Sequence, residues 1–173
     1  MIEAAILVIF PFAMVFAAIS DLLSMTIQNR VSLILVGAFA VLAPLTGMGW
    51  DVYVMHFAAG FVVLALTFGL FAMRALGGGD AKLMAATALW FGLNTSLVSY
   101  LFTASVLGGM LTLAILAYRG SPMAVVAGRF EFMRRLAQHD IGIPYGIALG
   151  AAGLLTFPQS VLGIWVLGRL SSL

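Results

Sequence analysis

Apolar residues fill this sequence in long uncharged runs that short polar breaks separate. A helix that crosses about 30 Å of hydrocarbon needs roughly 20 predominantly apolar residues. Six runs approach or meet that requirement, so the pattern predicts an all-α membrane protein with six transmembrane helices in a single domain, residues 1–173. The predicted helices cover residues 4–20, 31–45, 52–73, 80–91, 97–118 and 141–168.

Two features modify this simple pattern. The fourth predicted helix spans only about 20 Å at about 1.5 Å per residue, so one of its ends should lie inside the membrane boundary. Residues 119–140 are the one polar segment of any length, and their apolar positions recur at helical spacing. This spacing predicts an amphipathic interfacial helix between helices 5 and 6. Pro11 predicts a kink in the first helix, while Pro144 and Pro158 interrupt the last.

The composition supports a membrane protein and narrows its chemistry. The chain is 64% hydrophobic and 8% charged, whereas a soluble domain carries about 25% charged residues. A net charge of +2 gives no indication of nucleic-acid binding. The absence of cysteine excludes disulfides, thiolate catalysis and cysteine-ligated zinc. His56 and His139 lack the spacing of a helical ligand pair, and we interpret His56 as a histidine bonded to a neighbouring helix or located at the membrane interface.

The basic residues predict the orientation, because cytoplasmic loops are enriched in Lys and Arg. With six helices and both termini outside, Arg169 alone falls on the outer side. The same arrangement places Asp21 and Asp80 on the cytoplasmic side together. The residues assigned to the cytoplasmic side are Arg30, Arg74, Lys82, Arg119, Arg129, Arg134 and Arg135.

Asp21 and Asp80 are the candidate chemical groups, since carboxylates at the ends of apolar runs are costly and usually functional. Two neighbouring carboxylates share one proton, which allows one to activate water while the other donates to a carbonyl. We expect Gly77–Gly79 to adopt positive φ and to approach a neighbour closely. Asp80 should lie in the first turn of its helix and be the ionised member, leaving the shared proton on Asp21.

The pair alone leaves several alternatives open. A protease and a proton-coupled transporter that uses both aspartates as relay groups are equally consistent with it, and so is a non-catalytic assembly protein. An Asp at a helix end also serves commonly as a cap or an interface residue. Lys82 is either an interfacial anchor whose stem lies along the membrane or a residue that steers a substrate.

Three segments resemble one family. Gly77–Leu83, with sequence GGGDAKL, resembles the GxGD-x-K-L segment of the type IV prepilin peptidases, which are aspartic proteases of the bacterial inner membrane. Asp21, Ile27 and Asn29 resemble that family's D-x5-I-P-N motif, although Gln28 replaces the proline. Residues 143–146, with sequence IPYG, resemble the segment that opens the family's last helix.

This resemblance implies a function. Asp21 and Asp80 would be the catalytic pair, with no metal or organic cofactor. The substrate would be a prepilin or pseudopilin whose short basic leader is cut at the cytoplasmic face, just before its hydrophobic helix. The residues that would bind substrate or support the pair are Gly77, Gly79, Lys82, Asn29, Pro144 and Tyr145.

The resemblance also suggests what type of member this is. The chain lacks the cysteine-containing cytoplasmic domain of the larger family members that also methylate the new N-terminus. It resembles the short, peptidase-only members of tight-adherence (Flp-type) pilus systems, and N-methyltransferase activity is not expected. Glu131 or Asp140 would either attract the basic leader or belong to a solvated loop. Membrane lipid is expected around the chain and nucleic acid is not.

Overall fold

The computed structural model describes residues 1–121, 131–138 and 142–171, with the backbone alone at residues 131, 132 and 135. Within these residues the chain is helical and has no strand, which confirms the all-α prediction. One short 3₁₀ helix covers Phe157–Gln159. The α-helices are α1 (Ile2–Ser24), α2 (Asn29–Leu45), α3 (Trp50–Ala72), α4 (Gly78–Phe91), α5 (Thr95–Arg119), α6 (Glu131–Ala137), α7 (Tyr145–Thr156) and α8 (Val161–Leu170).

The number of helices that could cross a membrane is smaller than predicted. In the described part of the chain, α1, α3 and α5 are long and apolar enough to span a bilayer. A fourth span is formed if α7 and α8 count as one segment, bent by 55° where they meet. The described residues therefore contain three to four candidate spans, because α2 has only 17 residues and α4 only 14.

The prolines lie at different places relative to the helices. Pro11 lies inside α1, which runs from Ile2 to Ser24, and the kink expected there stays a prediction. The last apolar run is broken where expected, since Pro144 precedes α7 and Pro158 lies in the 3₁₀ helix before α8. Helix α6 accounts for part of the predicted amphipathic segment, and the rest of that segment lies outside the described residues.

Helix α4 is the central element of the bundle. It packs against α2, α3 and α7 and also touches α5 and α8, so nearly all of its side chains are buried. Alanines make this possible, because small side chains allow neighbouring helices to approach. On α3, Gly60 faces Leu89 so closely that an added Cβ would collide with the leucine side chain. The helix that carries Asp80 in its first turn is thereby fixed from several sides.

The far end of α4 is held by buried aromatic and polar contacts. Phe10 stacks on Phe157 with 4.6 Å between ring centroids, and the indole N–H of Trp90 donates to the Leu35 carbonyl at 3.0 Å. His56 is 2% exposed, and its Nδ1 bonds to the Leu89 carbonyl of α4. This contact confirms the interpretation of His56 as a histidine bonded to a neighbouring helix.

Candidate active site

Asp21 lies in the last turn of α1 and is 6% exposed. Its Oδ2 accepts a hydrogen bond of 2.7 Å from the backbone N–H of Gly146, in the first turn of α7. A Cβ added to Gly146 would lie 2.7 Å from the Cβ of Asp21 and 2.9 Å from its Oδ2. Only glycine therefore allows α7 to approach and orient this carboxylate.

Asp80 lies in the first turn of α4, as predicted, and is 9% exposed. Gly77 occupies the N-cap position, and a Cβ added there would lie 2.6 Å from Asp80 Oδ2. The carboxylate thus folds back over the start of its own helix, where unpaired N–H groups favour an acidic side chain. The space it occupies exists because residue 77 has no side chain.

The expectation of positive φ at Gly77–Gly79 is wrong. Gly77 has φ −70°, and the described glycines with positive φ are Gly47 and Gly92. Gly78 and Gly79 instead form the first turn of α4, because α4 begins earlier than predicted. The other expectation, a close approach, is confirmed, since a Cβ on Gly79 would lie 3.2 Å from the Cβ of Ile27.

Ile27 is the residue that brings the segments of the site together. It is 8% exposed in the turn between α1 and α2. Its side chain contacts Gly79 at the start of α4, and its Cδ1 would lie 2.9 Å from a Cβ on Gly146. One apolar side chain therefore packs against two of the segments that carry the family resemblance.

Asp21 and Asp80 line the same cleft, which has a volume of about 700 Å³. The two carboxyl groups are near enough for the charge of one to act on the other. The predicted site residues Gly77 and Tyr145 line this cleft too. The remaining lining residues are Met25, Phe71, Ala72, Arg74, Ala75, Leu76, Gly142 and Ile143.

Two cleft residues have strained backbones. Met25 has φ 53° and Arg74 has φ 61°, and they are the non-glycine residues with positive φ in the described part of the chain. Such residues often cluster at functional sites. The sequence analysis assigned Arg74 to the cytoplasmic side and not to the site, although a charge just before Gly77 was a signal for this location.

Tyr145 and Pro144 open the last part of the bundle, as the sequence suggested. Pro144 is buried at the N-cap of α7. The Tyr145 hydroxyl lies 3.0 Å from Thr112 Oγ1 on α5, and its ring packs over Gly108 of the same helix. Tyr145 thereby ties α7 to α5 at the edge of the cleft.

Lys82 and Asn29 lie elsewhere. The Lys82 ammonium donates to Asn29 Oδ1 at 3.0 Å, which joins the starts of α4 and α2. Both residues line a separate groove that includes neither aspartate. Of the two acidic residues considered for leader binding, Asp140 and the side chain of Glu131 lie outside the described residues.

A second, mostly apolar groove of about 560 Å³ adjoins the aspartate cleft. It shares Leu76 and Tyr145 with the cleft and continues along α5 past Ala104, Gly108 and Gly109. The cleft and the groove together form one path from the two carboxylates to an apolar face of α5.

The distribution of the shared proton stays a prediction. The start of α4 favours a negative charge on Asp80, as the sequence argument expected. The Gly146 N–H was not anticipated, and a carboxylate that accepts such a bond is stabilised in its charged form. This bond favours the opposite assignment, with the charge on Asp21.

One of three comparisons with known proteins gives a match. No curated protein and no solved structure matches the chain. The model of the type IV leader peptidase family matches residues 8–113, which is more than half of the chain and includes both Asp21 and Asp80. Residues 143–146 lie beyond this match, but Gly146 is in direct contact with Asp21 inside it. The chain belongs to the type IV leader peptidase family.

Proposed function

We propose that this protein is a membrane aspartic endopeptidase that removes the leader peptides of type IV prepilins or pseudopilins, with Asp21 and Asp80 as its catalytic pair. The family supports a leader peptidase role and prepilin substrates. The observation that carries the aspartic mechanism is that two buried carboxylates, from α1 and α4, line one cleft. The proposed reaction uses no serine or cysteine nucleophile.

The reaction needs one proton on the pair. The ionised carboxylate accepts a proton from water as the water oxygen attacks the scissile carbonyl carbon, and the protonated carboxyl donates to the carbonyl oxygen. The tetrahedral gem-diol then collapses: the carboxyl that took the proton from water gives it to the amide nitrogen, the C–N bond breaks, and a gem-diol hydroxyl returns a proton to the other carboxylate. The products are a new carboxyl and a new amine, and the pair again holds one proton.

The substrate would extend across both cavities. A leader peptide joins a polar basic segment to an apolar helix, and the cleft beside the carboxylates joins a mostly apolar groove along α5. We place the scissile bond beside Asp21 and Asp80 and the apolar helix in the groove. Gly109, which is exposed in the groove and has no side chain, favours close packing of a helix there.

The proposed setting is the bacterial inner membrane, with the cleft toward the cytoplasm. Helices α2 and α4 would complete six crossings, with α2 about 26 Å long and α4 about 21 Å at about 1.5 Å per residue. Basic residues beside the cleft, such as Arg74, fit a cytoplasmic location. We propose peptidase activity alone, without N-methyltransferase activity. The family gives no support to the proton-coupled transporter considered from sequence.

A cleavage assay in membranes tests the proposal. Wild type, Asp21→Asn and Asp80→Asn are expressed at matched levels with a tagged prepilin from the same organism. Asp51→Asn is the matched control, since Asp51 is exposed at the start of α3 and does not line the cleft. We expect wild type and the control to shorten the substrate, and each cleft variant to lose at least about 100-fold in rate. Cleavage that persists in either cleft variant would remove that residue from the catalytic pair.

A further inference from the structure

A third cavity of about 440 Å³ lies on the other side of α4 from the aspartate cleft. Its walls come from α2 and α3, which touch each other very little, and its floor comes from α4. Asn29, Ser32 and Lys82 line it together with a longer apolar stretch that includes Leu33, Leu64 and Leu89. We call this cavity the α2–α3 groove.

Ser32 is the first feature of the α2–α3 groove that favours binding of a ligand. Its hydroxyl is in a side chain about nine-tenths buried, and it has no hydrogen-bond partner among the described residues. Three buried threonines in other helices donate their hydroxyls to a carbonyl one turn back, namely Thr67, Thr87 and Thr156. A buried hydroxyl without a partner is unfavourable, so a hydrogen-bond acceptor in the groove would stabilise it.

Lys82 is the second such feature. Its ammonium has Asn29 Oδ1 as a hydrogen-bond partner, which is neutral, and in the described part of the chain it forms no ion pair. A lysine ammonium has three donors, so two remain beside the groove. A basic leader peptide would be repelled by this charge, and the aspartate cleft that would receive it is elsewhere. The positive charge of Lys82 instead favours an anionic ligand in the α2–α3 groove.

We propose that the α2–α3 groove binds an anionic phospholipid. The phosphate accepts hydrogen bonds from Lys82 and from the Ser32 hydroxyl, and one acyl chain lies along Leu33, Leu64 and Leu89. A phosphodiester provides the acceptors that both side chains lack, and the apolar stretch excludes a free phosphate as the natural occupant. Since Lys82 lies two residues after Asp80, the bound lipid also links the start of α4 to α2.

Native mass spectrometry of the intact protein in detergent tests this inference. The probes are phosphatidylglycerol and phosphatidylcholine with the same acyl chains, supplied together. We expect the wild type to retain phosphatidylglycerol about fivefold more than phosphatidylcholine, in line with one basic contact near a lipid surface. Lys82→Gln should remove the preference, Ser32→Ala should reduce it, and Lys82→Arg should preserve it.

Arg30→Gln is the matched control, because Arg30 is an exposed basic residue near Asn29 that lines a different cavity. It should keep the wild-type preference. Glycerol phosphate in excess should not displace the lipid, whereas displacement would show that the site takes a free anion. Equal retention of both lipids by the wild type, or an equal loss in Arg30→Gln and Lys82→Gln, would overturn the proposal. Circular dichroism of each variant confirms folding, and no step depends on peptidase activity.

Discussion

The backbone N–H of Gly146 donates a 2.7 Å hydrogen bond to Asp21 Oδ2, across 125 positions of sequence. Asp21 is thus oriented by the first turn of α7 as well as by its own helix. The contact needs a glycine at position 146, because a Cβ there would overlap the Asp21 side chain. The last part of the chain therefore takes part in the site.

Gly146→Ala should displace Asp21 and lower the rate of prepilin cleavage by about 100-fold, since a misplacement near 1 Å has that effect. The measurement is kcat for a purified prepilin in detergent. Gly37→Ala is the control, because a Cβ at this position on α2 meets no atom within 4 Å and should leave kcat unchanged. Wild-type kcat in Gly146→Ala would show that the hydrogen bond has no role in catalysis.

Gly77→Ala tests the other carboxylate. A Cβ at residue 77 would lie 2.6 Å from Asp80 Oδ2, so the Asp80 side chain must rotate out of its place. We expect a loss of kcat of about tenfold or more with little change in thermal stability. Gly47→Ala would show the opposite pattern, because Gly47 has φ 84° and no atom within 4 Å of an added Cβ. The backbone strain of alanine at position 47 should lower the thermal stability and leave kcat unchanged.

Features of this structure that depend on residues close together in sequence were predictable, and contacts between residues far apart in sequence were not. Helix locations follow from local apolar runs, so α2, α3 and α5 begin and end within two residues of the expected positions. The break before α8 follows from Pro158. These features are set by neighbouring residues and need no knowledge of the tertiary structure.

The contacts of the site are long-range and were not predictable in the same way. Nothing local indicates that Gly146 reaches Asp21, or that Ile27 packs against Gly79. Lys82 shows the limit most clearly. It stands two residues after Asp80 in the sequence, yet the helix turns it toward the α2–α3 groove, because residues i and i+2 do not share a helix face.

A bell-shaped dependence of kcat/KM on pH follows from a pair that holds one proton. At low pH the ionised carboxylate becomes protonated and can no longer accept a proton from water. At high pH the shared proton is lost and the carbonyl oxygen has no donor. Rates and thermal stability should be measured over the same pH range, so that a loss of rate caused by titration can be distinguished from one caused by unfolding. A single limb would indicate that only one carboxyl titrates in the reaction.

Met25→Gly should stabilise the protein, because a non-glycine residue in the left-handed region costs about 1 kcal/mol or more and Met25 has φ 53° at the end of α1. The measurement is the midpoint of thermal unfolding in detergent. Met73→Gly is the matched control at the end of α3, where φ is −80°. It should lower the midpoint, since glycine there adds only freedom to the unfolded chain. A lower midpoint in both variants would contradict the expectation.

Gly109→Trp tests whether the apolar helix of the substrate lies along α5. Gly109 lines the groove that adjoins the cleft, and an added Cβ meets no atom within 4 Å, so an indole would fill the groove without displacing the helix. We expect KM for full-length prepilin to rise about tenfold, at nearly unchanged kcat, because the groove contributes binding and not chemistry.

Gly69→Trp is the control, since Gly69 is exposed on α3 with equal space around it. A short peptide that carries the cleavage site without the apolar helix should be cut equally by wild type and Gly109→Trp. Equal KM values for full-length prepilin in wild type and Gly109→Trp would show that the apolar helix binds elsewhere. That result would not contradict the proposed catalytic role of Asp21 and Asp80.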